Sequence, residues 1–355
     1  MHTDLDQLIS TVQHNCHISD AKYAGNYTMC IYLLKMREYY RWETANGFSD
    51  QLSPENIGAW ISQREALWEK LEDQCYQSLS IANACLDPFQ SDDVNRVLAP
   101  QQLIYSAGYG IKAKPHFFIA QLEQQQQYNH YNIYIAGKEY ARDLTSPPAM
   151  SHNKTIYIRR ESFKRMLWER IEEWRWHKPQ NALARTINCY AFEDDIDLAL
   201  NNMTDNELQA AILHEIGEIQ AGENLPGWQD MMQAIIFTQA EIMARAVRDH
   251  FADTLHTLPA LLKESEKHPE QHASIHFYFA NLTAMRKQLF PSLMQAYQQW
   301  LQNNDITVIQ KTVKHARLHW QKLAEDILAI YQQQADQPGR QIADEIEKRV
   351  NNSHL

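Results

Sequence analysis

Over most of the chain apolar residues recur every three to four positions, the period of a helix with one buried face. Residues 26–43 (NYTMCIYLLKMREYYRWE) lack proline and glycine and are apolar almost all round, which predicts a buried helix. A second helix is predicted from Ser53, with Pro54 at the first helical position, where a missing N–H costs nothing. Between 82 and 112 turns alternate with short helices. The period then changes. PHFFIAQLE (115–123), YNIYIAG (131–137) and KTIYIRR (154–160) are short, aromatic and β-branched, and predict three strands. The polar tract EQQQQYNH between the first two reads as a loop, and TSPPAM (145–150) as an extended linker, because consecutive prolines oppose helix. From 161 onward helical signals return, with breaks at HKPQN, ENLPGW, TLP and LFP. The stretch TVIQKTVKHARLHWQKLAEDILAIYQQQ is strongly periodic, and the final dozen residues, being polar, are expected to fray.

The fold expected from this pattern is mainly α: a helical bundle-like body with a small α+β section, about three short strands, inserted near the middle. Residues 1–112 form an N-terminal helical region, 113–160 the strand-containing section and 161–355 a C-terminal helical region. The length of 355 residues is ample for a core, and 44% hydrophobic with 22% charged residues is ordinary for a globular protein.

A formal net charge of -11 and the lack of a long basic run argue against nucleic-acid binding and against an anionic membrane surface. No stretch reaches the ~18–20 apolar residues of a membrane span, and no signal-peptide core opens the sequence. Five scattered cysteines without CxxC spacing suit a reducing compartment, so a cytoplasmic location is expected. With only 10 glycines and neither GxGxxG nor GxxxxGK[ST], a Rossmann or P-loop nucleotide site is not expected.

Candidate chemistry concentrates in TDNELQAAILHEIGEIQAGENLPGW (204–228). Thr204 and Glu207 match the capping-box pattern and place the helix start there; Gly222 and Pro226 place its stop. At about 100° per residue Leu208, Ala211, Ile212 and Ile219 share an apolar face, with Glu215 in its middle and Glu218 at its edge. A carboxylate so placed needs a partner, because an unpaired buried charge costs several kcal/mol in order of magnitude. His214 and Glu218 stand one turn apart and can converge on one ion. Gly217 costs about 1 kcal/mol relative to alanine in mid-helix, which points to something approaching closely there.

Over these five residues HEIGE resembles the zincin signature His-Glu-x-x-His, with Glu218 in place of the second histidine. The resemblance implies His214 and Glu218 as metal ligands and Glu215 as general base. A carboxylate in place of histidine hardens the site, so the divalent ion could be iron or manganese as well as zinc.

Downstream, Glu241, Arg245, Asp249 and Asp253 repeat at i+4 along one helix side. Glu241 is the expected third ligand by analogy with the later glutamate of thermolysin-like zincins, and His250 is an alternative, with a core histidine as its ordinary role. Arg245 and Arg248, together with Arg37 and Arg41 on the N-terminal helix, are candidates to bind a small anionic substrate. The leading expectation is a metal-dependent, hydrolytic enzyme. The competing expectation is a non-catalytic helical binding or assembly protein, in which Glu215 and Glu218 pair with Arg37, Arg41 or Arg245 in a buried Glu/His/Arg ion-pair network.

Overall fold

The structure, a computed structural model, describes residues 5–355 except 83, 111–112, 153, 268–271 and 335. The chain divides into two compact units, one of residues 1–176 and 191–204, the other of 177–190 and 205–355.

The first unit contains helices α1 (Leu5–Tyr23), α2 (Met29–Glu43), α3 (Pro54–Trp68), α4 (Ser91–Leu98) and α5 (Arg160–His177). Its strands are β1 (Leu79–Ile81), β2 (Ala84–Leu86), β3 (Leu103–Tyr109), β4 (Pro115–Tyr128), β5 (Tyr131–Arg142), β6 (Ala149–His152) and β7 (Thr155–Arg159). β1 and β2 form a small antiparallel ribbon, and the other five form a mixed sheet in the order β3-β4-β5-β7-β6, with β5 and β7 parallel. This overturns the expected mainly α fold with about three short strands: the fold is α+β, with a curled five-stranded half-barrel. Register shifts between Ile119 and Gln124 supply the bend, as β-bulges do.

Three sequence signals were misleading. The glutamine tract read as a loop is the far half of β4, pairing with β5 from Gln124 to Tyr128 across a two-residue Asn129-His130 turn, with Asn129 at φ 53°. Those glutamines are polar because most of them face solvent; strand pairing uses their backbone, not their side chains. β3 and β6 were missed because glycine, serine and histidine dilute their β-branched content. α2 was expected to be buried, yet Met29, Ile31 and Leu33 are exposed, and only Met36, Glu38, Tyr39 and Arg41 are buried. Ser53 does cap α3, its hydroxyl accepting from the Asn56 N–H.

α1 lies on the sheet, where Cys16 donates to the Phe117 carbonyl (3.2 Å) and Leu8, Val12, Phe117 and Ile119 share a core. The interior carries several paired charges. Arg159 grips Glu139 through two bonds (3.0 and 2.8 Å), and Lys114 meets Asp20 at 2.9 Å. Such groups are tolerated inside because paired and hydrogen-bonded ions avoid the desolvation penalty of a lone charge.

The second unit is helical among its described residues. Its helices are α6 (Ala182–Ile187), α7 (Ile196–Glu223, entering this unit at residue 205), α8 (Trp228–Ala234) and α9 (Gln239–Ala252). After a π-helical turn (Asp253–Thr257) follow α10 (Leu258–Lys267), α11 (Ala273–Asn281), α12 (Ala284–Leu289), α13 (Pro291–Asn303), α14 (Thr307–Gln333) and α15 (Gly339–Asn351). α9 is the central element, packed against α12, α14 and α15 in one core that includes Met243, Val247, Phe251, Trp320, Leu323 and Ile346. The C-terminal residues expected to fray instead form most of α15, which buries Ile342, Ala343, Ile346 and Val350. Their spacing is amphipathic, and a partner for the apolar face outweighs the polar average.

α7 begins two turns before the predicted cap. Thr204 is inside it, its hydroxyl bonded back to the Leu200 carbonyl (2.6 Å), and Glu207 is fully buried, accepting from Tyr190 (2.7 Å) and Asn206 (3.2 Å). Burial pushes the carboxyl up to about 7 despite hydrogen bonds from Tyr190, Ser274 and Asn206. Between the ordinary carboxylate value near 4.5 and about 7 the folded state therefore holds a proton that the unfolded chain has released. Stability should fall as pH rises through that window. Glu207→Gln, which keeps the acceptor for Tyr190 without the charge, is expected to be more stable than wild type by about 2 kcal/mol at pH 8 and little different at pH 4.5. Urea midpoints at the two pH values measure this; a pH-independent difference would contradict it.

Candidate metal centre

α7 and α9 cross where neither has a bulky side chain. A Cβ on Gly217 would stand 2.8 Å from the Ala252 carbonyl oxygen, inside van der Waals contact, so only glycine permits this approach. The crossing puts His214, about one turn before Gly217, and Glu218, the residue after it, against the last two turns of α9. His214 and Glu218 thereby meet Asp249, and one potential ligand atom from each lies within 4.8 Å of the others.

The imidazole is oriented by what lies behind it. Nδ1 of His214 is 2.8 Å from an oxygen of the fully buried Asp253, and Nε2 faces the Glu218 carboxylate at 3.4 Å. Asp253 is fixed in turn by a short bond from Arg286, whose guanidinium also reaches the Tyr278 hydroxyl (3.2 Å). Burial opposes ionisation of Asp253, but Arg286 and His214 overcome it and hold the carboxyl well below the usual range. Asp253 opens the π-helical turn, a feature that recurs at functional sites, and Thr257 at its end donates to the Leu213 carbonyl (3.4 Å). Against its burial, Asp253 and Glu218 hold the His214 imidazole well above its ordinary value, so Nδ1 donates to Asp253 and Nε2 to Glu218. An ion would take the place of the Nε2 proton, and a histidine backed by a buried carboxylate is the outer-shell arrangement of metal-binding histidines.

Electrostatics in front of the ring are strained. Glu218 and Asp249 are side by side with Arg248, whose guanidinium is 2.8 Å from Glu218. Burial and the neighbouring Glu218 charge push Asp249 up to about 6, whereas Glu218, against its own burial, is held low by Arg248 and His214. The two carboxyls are bonded to each other, an arrangement that needs a proton or a cation between them.

The sequence-predicted residues separate accordingly. His214, Glu218 and Arg248 come together. Glu241 stands elsewhere: it closes the start of α9, accepting from the Phe237 N–H (2.9 Å) and pairing with Arg245 (2.9 Å). The third group beside His214 and Glu218 is Asp249, two turns further along the same stripe. His250 takes its ordinary role, fully buried, stacked on Trp320 and bonded to the Arg286 carbonyl (2.9 Å). Glu215 is half-buried and its charge acts on Arg248. Arg37 and Arg41, in the first unit, are held by Glu38, and Arg41 also donates to the Gly47 and Asp50 carbonyls. The buried Asp253, Arg286 and Tyr278 were not singled out as a cluster; Asp253 stood out as the last member of the i+4 stripe and Arg286 as a charge in an aromatic stretch.

No curated protein and no solved structure matches this chain. Two family models do, one described as the N-terminal domain of a family of unknown function (DUF6866) over residues 7–159, the other as that family's C-terminal domain over residues 164–351. The C-terminal domain carries every residue of the His214 cluster, and the chain belongs to the DUF6866 family.

Proposed function

We propose that the protein is a metal-dependent enzyme of the hydrolytic class, with a divalent ion held by His214, Glu218 and Asp249. The observation that supports this most is the convergence of the His214 imidazole, backed by Asp253 through Nδ1, with the Glu218 and Asp249 carboxyls, whose pairing needs a proton or a cation. A first-row ion binds such ligands at about 2.0–2.2 Å, which requires their atoms to be roughly 3–4 Å apart. A contraction of about an ångström from the present spread completes the site. One nitrogen and two carboxylate oxygens form a hard set that suits manganese, iron or zinc.

Three protein ligands leave positions for water, and an ion there lowers the pKa of that water and polarises an acyl or phosphoryl oxygen. Glu215, beside Arg248, is the group to take the proton. With an ion on Glu218, Arg248 would be the residue to hold an anionic part of the substrate.

The test is elemental analysis of protein purified without chelator, followed by a hydrolase screen of the loaded protein. Wild type is expected to hold close to one equivalent, His214→Ala and Asp249→Asn less than a tenth, and Glu241→Ala the full amount. Metal-free wild type even after reconstitution would sink the reading. The Arg248–Glu218 bond supports a second reading, in which the cluster is only a structural ion-pair network. In that case no variant changes metal content, and both site variants lose stability alone.

A further inference from the structure

A second site lies in the first unit, on the sheet face beside α4. Strand alternation puts Asn132 and Tyr134 of β5 on the same face as Thr155 and Tyr157 of β7, in direct register, Asn132 opposite Thr155 and Tyr134 opposite Tyr157. Gln125, opposite Tyr134 on β4, extends the row, and Asp92 and Arg96 of α4 face it from one side. Together they line an open cleft of about 410 Å³, within the range of about 300–1,000 Å³ typical of small-molecule sites.

The aromatic wall is held rigid from behind. Tyr157 is buried, its hydroxyl bonded by Asn95 (3.3 Å), and Asn95 is itself fixed by two bonds to the Tyr105 backbone (2.7 and 2.9 Å). Tyr134 stacks on Tyr157, with ring centroids 5.9 Å apart and planes at 26°, and remains half-exposed at the cavity. In contrast with the answered charges of this unit's interior, the side chains of Asp92, Gln125, Asn132 and Thr155 make no hydrogen bond to the described residues. Amides, a hydroxyl and a carboxylate are thus available to both donors and acceptors of a ligand.

Charge narrows the ligand. Asp92 and Arg96 are the ionisable groups of opposite sign at the cavity apart from the tyrosines, and Arg96 is paired with Asp93, so no uncompensated cation is present to hold a phosphate or carboxylate. A neutral ligand is required, with one apolar face for Tyr134 and many hydroxyls for the planar polar side chains. We infer that this cavity is a carbohydrate-binding site for a neutral mono- or disaccharide, whose ring stacks on Tyr134 and whose hydroxyls bond Asp92, Gln125, Asn132 and Thr155. This inference is independent of the metal reading, since it uses none of the same residues.

Saturation-transfer-difference NMR on the full chain tests it, with maltose, cellobiose, lactose and N,N′-diacetylchitobiose as probes and adenosine as the planar alternative. Ring protons of at least one sugar are expected to receive saturation. Tyr134→Ala should reduce that transfer at least fivefold. So should a surface variant combining Asp92→Asn and Gln125→Ala, whose thermal midpoint should match wild type. Transfer to none of the sugars, transfer unchanged in the surface variant, or transfer to adenosine alone would each overturn the assignment.

Discussion

Arg286→Met is expected to cost about 3–5 kcal/mol at pH 7, the largest effect of any single substitution near the candidate site. Asp253 is fully buried, and Arg286 is the strongest influence opposing its burial. Removing the guanidinium leaves a carboxylate in a dry site with only His214 and the Tyr278 region beside it. The pH dependence distinguishes this from lost packing. In wild type the depressed Asp253 contributes stability that is present above the ordinary carboxylate pKa and lost as pH falls through its low folded value. In the variant, burial without Arg286 raises that carboxyl, so protonation relieves the defect. The gap between the proteins should therefore narrow as pH falls from 7 to 4. Chemical denaturation at both ends measures it; a gap constant with pH would mean that packing alone was lost. Metal content should fall with it, because a His214 no longer bonded to a fixed carboxylate loses its orientation.

Gly217→Leu is the second large effect expected. Even the first side-chain carbon would stand 2.8 Å from the Ala252 carbonyl oxygen, and backbone cannot move aside as a flexible side chain can. Relief requires the helices to separate, at roughly 2–4 kcal/mol when overpacking is combined with the lost contacts around Val247 and Phe251. The gain of about 1 kcal/mol in helix propensity is too small to compensate. Separation also pulls His214 and Glu218 away from Asp249, so metal content should drop even at temperatures where the variant is folded. A variant of wild-type stability, or one that is destabilised but keeps its full metal complement, would show that the crossing does not set the site.

Elements and sites differ in how legible they were. Ser53–Pro54, the β-branched runs of β4, β5 and β7, and the periodicity of α14 depend on local sterics and local hydrogen bonding, which neighbouring residues determine among themselves. The polar half of β4 did not, because its partner strand supplies its stability through backbone bonds that leave no trace in side-chain type. The exposed flank of α2 and the buried face of α15 show the same dependence in opposite directions: apolar content says that a face can be buried, and only its neighbours decide whether it is.

At the candidate site, sequence alone established that His214 and Glu218 share a helix face at i and i+4, that Gly217 between them needs a close neighbour, and that Glu241, Arg245, Asp249 and Asp253 form one stripe. It could not say which turn of that stripe meets His214. An i+4 repeat is the same at every turn, so Glu241 and Asp249 are equivalent until a contact breaks the symmetry. The contact is the α7–α9 crossing at Gly217 and Ala252, which places Asp249 and Asp253 against His214 and leaves Glu241 at the far end, capping its own helix. Spacing along one helix is set by covalent geometry, whereas register between two helices is set by how closely their surfaces can approach, and that belongs to the tertiary structure.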